Sequence, residues 1–230
     1  MNASSYVHEL RKSFYAAKND GRADSMSAYM RGKFVYFGIP APTRSLLQNP
    51  LLSEIQDVDL AFAIAEELWE LEEREFQYTA CDLLSRAVSR KAVPLFDPES
   101  LLEKTQALIL SKSWWDTVDT LAPNIAGHII KRSLFAKLPV LALVWMNHDD
   151  MWVKRSALLL QLKYKNETNA ELLFDLVLQV ASSNEFFLRK GAGWVLREYS
   201  KTDPSLVREF INSNANSLSP LTIREGSKYC

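Results

Sequence analysis

A large aromatic residue recurs near the start of alternate helix-length segments, and its spacing constrains the fold more than any other feature of the chain. Trp152-Val153-Lys154-Arg155-Ser156-Ala157 aligns with Phe187-Leu188-Arg189-Lys190-Gly191-Ala192 at an offset of 35 residues, each an aromatic, two residues, a base, one residue and an alanine. Trp115 lies 37 residues before Trp152, and Phe76 another 39 before Trp115. A period of this length holds two helices and their links. A helix pair that cannot bury its apolar face alone must stack on its neighbours, which makes a quasi-one-dimensional repeat structure. Seven glycines in 230 residues, with no apolar alternation of period two, agree with helix nearly throughout. The expected fold class is all-α, a HEAT-like repeat α-solenoid of about six helical pairs. It forms a single domain over residues 1–230, with the second helix of each pair lining a concave groove.

The patterning sets the helices at Ser5–Ala17, Ala23–Lys33, a short one from a Thr43 cap through Leu47, Leu60–Glu72, Glu75–Arg90, Pro98–Lys112 and Trp114–Lys131. Further helices follow at Lys137–Met146, Asp150–Lys165, Ala170–Ser182, Glu185–Ser200, Pro204–Asn212 and Pro220–Lys228. Asp97-Pro98 and Asp203-Pro204 each place a capping carboxylate before a proline whose missing N–H costs nothing in the first turn.

Composition narrows the function. The residues are 47% hydrophobic and 24% charged, a globular balance. No apolar run approaches the roughly 20 residues that span a bilayer, and the N-terminus lacks a signal-peptide core, so a cytoplasmic protein without membrane contact is expected. Cys81 lies in an apolar helical pattern and reads as core. With Cys230 it makes neither a disulfide framework nor a thiolate metal site. His8, His128 and His148 share no metal-ligand spacing, so no metal is expected. Residues 1–100 hold 11 basic and 15 acidic side chains and residues 101–230 hold 16 and 13, so the halves carry −4 and +3. A mildly positive C-terminal half is compatible with an anionic partner.

Chemistry concentrates in Ser113-Trp114-Trp115-Asp116-Thr117-Val118-Asp119. On a helix Trp115 and Asp119 share one face, while Trp114 is turned away by roughly 100°. One indole can then anchor the core while the other stands beside a carboxylate. Phe76, Trp152 and Phe187 read as core knobs. Lys154, Arg155, Lys163, Lys165, Arg189, Lys190, Arg197 and Lys201 form a basic cluster on two successive repeats, where a phosphate backbone could cross. Aromatics among such charges can stack on sugars or bases.

These stretches, together with Gln161-Leu162-Lys163-Tyr164-Lys165, Phe186–Tyr199, Ala28-Tyr29-Met30, Phe37-Gly38-Ile39 and Leu68–Phe76, resemble the AlkD-type DNA alkylation repair enzymes over nearly the whole chain. That family consists of HEAT-like repeat DNA glycosylases that excise positively charged N3- and N7-alkylpurines from duplex DNA. The resemblance implies that Asp119 is the catalytic carboxylate and that Trp115 and Trp194 flank the deoxyribose of the lesion. It further implies that Arg155 meets the DNA backbone beside the lesion, that Arg197 and Lys163 add backbone contacts, and that Tyr29 reaches the duplex from the N-terminal helices. The segment Leu221–Cys230 departs from the family by lacking a further helical tail.

A purine alkylated at N3 or N7 already carries positive charge and leaves without a general acid. Positive charge then moves onto the sugar, where a fixed carboxylate and indole faces stabilise it. Asp119 could also position or deprotonate the attacking water. Such a reaction needs no cofactor and no metal, and an open groove need not enclose the base as most glycosylases do. The expected partner is duplex DNA containing alkylated purines, bound by a monomer. Two alternatives are a catalytically inactive HEAT-like DNA-binding protein and a protein-binding scaffold.

Overall fold

The computed structural model describes residues 2–90 and 94–230, and among them no strand is present. The chain divides into two compact units, Met1–Phe96 and Asp97–Cys230. No helix among the described residues is long and apolar enough to cross a membrane.

The first unit contains α1 (Ala3–Ala16), α2 (Asp20–Tyr29), α3 (Ala41–Glu54), α4 (Val58–Glu70) and α5 (Arg74–Ser89). Helix α4 packs on α5 and α1, and α3 on α5 and α1. Their core is aromatic: Phe14 stacks on Phe76 with centroids 5.4 Å apart, and Phe37 meets Phe76 edge-on at 5.4 Å. The strap Phe34–Pro40, which breaks the helical pattern, is fixed by Glu75. That fully buried carboxylate accepts the backbone N–H groups of Phe37, Gly38 and Ile39 at 2.9–3.1 Å. Gly38 has φ +83°, and a Cβ there would lie 2.1 Å from the Asn19 carbonyl oxygen, so the strap requires glycine at this point.

Helix α3 corrects the sequence reading. It begins at Ala41, after Pro40, with a proline in its first turn, and continues past Leu47 through an internal Pro50 to Glu54. Thr43 lies inside it. The proline pair marks its start, as expected where backbone N–H groups have no helical partner, whereas Pro50 hides its length.

The second unit contains α6 (Pro98–Leu110), α7 (Trp115–Thr120), α8 (Gly127–Ser133), α9 (Leu138–Met146), α10 (Met151–Leu159), α11 (Ala170–Gln179), α12 (Phe186–Tyr199), α13 (Pro204–Ser213) and α14 (Pro220–Gly226). Helix α10 packs on α7 and on α12, and α12 packs closely on α14, so the second helices of successive pairs lie side by side in chain order. The first helices α9 and α11 pack on each other and on α10. This is the helical-repeat arrangement that the 35–39-residue period demands. Asp97 and Asp203 cap α6 and α13, accepting from the N–H of Ser100 at 3.1 Å and of Leu206 at 2.9 Å.

Between α7 and α8 the helix is not interrupted but widened: Leu121–Ala126 is a π-helical segment, and the Gly127 N–H reaches back to the Ala122 carbonyl. Pro123 sits within it and has no N–H to contribute. Gly127 lets α10 approach, since a Cβ there would lie 2.2 Å from the Leu160 carbonyl oxygen. The same contact is closed by the buried Tyr164 hydroxyl, which donates to the Gly127 carbonyl at 2.7 Å.

Candidate active site

Trp114 ends the irregular link before α7 with an extended backbone and turns its ring inward. It packs on Trp152 and Phe187 at centroid distances of 5.5 and 5.1 Å, and those two rings meet at 4.9 Å. Phe76 packs in the core of the first unit, and Trp114, rather than the Trp115 that the spacing set in register, joins Trp152 and Phe187 in one cluster. Anchored by it, α7 carries Trp115 and Asp119 four residues apart on one face, and Trp115 is half-buried. Lys112, just upstream, has a left-handed backbone with φ 50°, which redirects the chain out of α6 into the motif.

Asp119 is held from α10. The Arg155 Nε donates to its Oδ1 and Nη2 to its Oδ2, both at 2.8 Å, a bidentate fork. The remaining Arg155 group, Nη1, donates to the Phe187 carbonyl of α12 at 2.5 Å. Gly191 makes room for this, because a Cβ there would come within 2.9 Å of Nη1. Arg155 therefore ties three consecutive second helices together. Its side chain is 4% exposed, whereas that of Asp119 is 19% exposed. Only two of the four lone-pair directions of the carboxylate are taken by the guanidinium. Burial pushes the Asp119 carboxyl above its ordinary value, the Arg155 hydrogen bonds and charge oppose this, and Asp116 adds to the rise.

Other expected site residues occupy different settings. Trp194 is half-buried on α12, on the stripe that carries Phe187 and Gly191. Arg197, also on α12, is bound by a residue that sequence inspection did not single out: its Nη1 donates to Glu225 Oε2 at 2.8 Å. Lys163 is exposed in the turn after α10. Tyr29, at the end of α2 in the first unit, is 74% exposed. Arg155, expected to meet the DNA backbone, is committed in this structure to Asp119 and Phe187.

A model of the DNA alkylation repair enzyme family matches residues 10–230. The structure is similar to that of a protein from Enterococcus faecalis described as a predicted DNA alkylation repair enzyme, with 38% identity and a TM-score of 0.81, covering 92% of this chain and 96% of that one. It is also similar in fold to smu.31 from Streptococcus mutans UA159, with 16% identity and a TM-score of 0.53, covering 76% of this chain and 86% of that one. No curated protein is matched by the sequence. The match across the site-bearing helices and the extent of the first structural likeness lead to one conclusion: this chain belongs to the DNA alkylation repair enzyme family.

Proposed function

We propose that this chain is a monofunctional DNA glycosylase that hydrolyses the N-glycosyl bond of positively charged N3- and N7-alkylpurines, such as 3-methyladenine and 7-methylguanine, in duplex DNA. The observation that carries the reading is the forked Asp119–Arg155 pair, buried on one side and open on the other, with Trp115 on the same helical face. A scaffold gains little from a partly desolvated carboxylate held this rigidly, since the desolvation cost of a buried ion pair offsets much of its attraction. A carboxylate fixed where positive charge develops lowers a barrier without reorganising.

In this mechanism the cationic base leaves with the electrons of the glycosidic bond and the sugar becomes oxocarbenium-like. Asp119 faces that charge. Trp115 and Trp194 offer indole faces to the sugar and exclude water from one side of it. Water then attacks C1′ and passes its proton to Asp119 or to solvent, restoring a neutral sugar. Arg155 fixes the carboxylate, while Arg197, Lys163 and Tyr29 are assigned to the DNA backbone. The base itself need not enter a closed pocket, so selectivity rests on the positive charge of the leaving group.

The test is release of 7-methylguanine from methylated duplex DNA by the wild-type chain and by Asp119→Asn, with matched folding. Release that depends on Asp119 supports the assignment. Equal release from both proteins removes Asp119 from the chemistry, and no release from either, with DNA still bound, makes the chain a binding protein.

A further inference from the structure

Helix α14 brings a single carboxylate into the middle of three cations. Glu225 Oε1 accepts from Lys190 Nζ at 2.9 Å, and Oε2 accepts from Arg197 Nη1 at 2.8 Å and from Lys228 Nζ at 3.0 Å. The Glu225 side chain is 5% exposed, but the cations keep their outer sides open, with 38% of Lys190, 25% of Arg197 and 46% of Lys228 accessible. One negative charge gathers three positive ones, which leaves a net side-chain charge of about +2 at the surface.

The close approach of α14 is built into the backbone. A Cβ on Gly193 would lie 2.6 Å from the Glu225 Cβ, and one on Gly226 would lie 3.1 Å from the Leu196 Cβ. Thr222 Oγ1 donates to the Arg189 carbonyl at 3.1 Å and locks the register. The cations therefore sit on a fixed frame.

The position of this frame follows from helix geometry. At roughly 100° per residue, with Phe187 at zero, Gly191 falls at about +40°, Trp194 at about −20°, Lys190 at about −60° and Arg197 at about −80°. The Phe187 and Gly191 sector is where Arg155 arrives with Asp119. Trp194 thus lies between the carboxylate site and the cation cluster, and a strand with its sugar on Trp194 would carry its next phosphates toward Lys190 and Arg197.

We propose that Lys190, Arg197 and Lys228, held together by Glu225, form a phosphodiester-binding site flanking Trp194, and that the segment Pro220–Tyr229 is part of the DNA interface. Lys228 is the new contact, and Glu225 is a positioning residue that keeps the three cations from scattering. The assignment rests on the glycosylase reading for the identity of the strand. It gives the chain's last helix a direct role in binding, beyond packing against α12.

Counterion release distinguishes a phosphate contact from a structural ion pair, because each contact contributes about 0.9 to the slope of log affinity against log salt. Anisotropy titrations of a labelled duplex bearing one 7-methylguanine, over a series of salt concentrations, compare the wild-type chain with Lys228→Gln, Arg197→Gln and the double variant. Lys137→Gln is the control, since Lys137 pairs with Glu99 outside the cluster. The expected result is a slope reduced by about 0.9 in each cluster variant and by about 1.8 in the double variant, with the control unchanged. A wild-type slope in Lys228→Gln, or an equal reduction in the control, overturns the site while leaving the glycosylase reading intact. A wild-type chain that binds no duplex at any salt overturns both.

Discussion

Two carboxylates in the second unit, Asp119 and Glu225, are both buried against cations, and they end in opposite electrostatic states. Asp119 has one partner, Arg155, and burial carries its carboxyl above the ordinary value despite that partner. Glu225 is held down to about 2 by Lys190 and Lys228, and Arg197 closes the group. Loss of water is the largest influence on Asp119, whereas at Glu225 the hydrogen bonds from Lys190 and Lys228 outweigh it. One fork leaves Asp119 with lone pairs and residual charge still seeking a partner, a state suited to meeting a cationic sugar. Three cations leave Glu225 satisfied and inert, a state suited to holding a frame.

The largest effect should come from neutralising the under-satisfied member. Asp119→Asn is expected to lower excision by about 10²–10³, the size seen when one preorganised electrostatic contact is removed, beyond any loss of stability from leaving the buried Arg155 without its counter-charge. Single-turnover base release and a thermal melt, run together, check both halves. A loss of stability without a loss of chemistry would reverse the two roles.

Neutralising the satisfied member should do the opposite. Glu225→Gln strands three cations and is expected to cost about 2 kcal/mol, less than its shift alone would give, because the partners remain partly in water. For a chain of this length that is a fall of about 4–8 °C in melting temperature. The pH dependence follows from the sign of the shift. A carboxyl whose folded value is depressed contributes stability above its unfolded value, near 4.5, and loses it as pH falls toward about 2. Acid unfolding of Glu225→Gln over that window should therefore be shallower than that of the wild type.

Asp119 carries the other sign. Because its folded value is raised, its ionised form is disfavoured in the native state, and protonation on acidification costs the fold nothing while removing the charge that the reaction uses. The acid limb of the excision rate should thus begin at higher pH than for an ordinary aspartate, before any loss of structure. Coincidence of the rate limb with acid unfolding would refute this separation. The smallest expected effect is that of Trp194→Phe, about fivefold in excision, for about 1 kcal/mol of lost cation–π attraction.

Much of this was legible in the sequence, and the remainder was hidden for identifiable reasons. Asp97 and Asp203 announced their helices because capping is local, decided within three residues. The shared face of Trp115 and Asp119 followed from their four-residue spacing on a helix, whereas the inward turn of Trp114 did not, because that residue has an extended backbone just ahead of α7. The burial of Arg155 was not legible. Its partner is 36 positions away on another helix, and the pattern of a basic residue after an aromatic is the same whether the base faces DNA or a carboxylate. Glu225 was overlooked for a similar reason, since a lone acid in a short terminal helix carries no periodic signal, and its importance comes from the two glycines that let it approach α12. The length of α3 was masked by Pro50, which local rules treat as a stop but which the helix accommodates.

The widened turn at Leu121–Ala126 has a consequence for how the catalytic face could change. A π-helical turn holds an extra residue relative to an α-helical one, so it offsets the angular phase of everything before it from everything after it by about 100°. Ile129 and Ile130 behind the turn fill the core, while Trp115 and Asp119 ahead of it present the site. Deleting one residue between Leu121 and Ala126 would restore a regular helix and keep nearly every side chain, yet swing the carboxylate about a quarter-turn away from the Arg155 fork. The aim of Asp119 is thus recorded in a residue count, which makes this helix more tolerant of substitution than of a change in length.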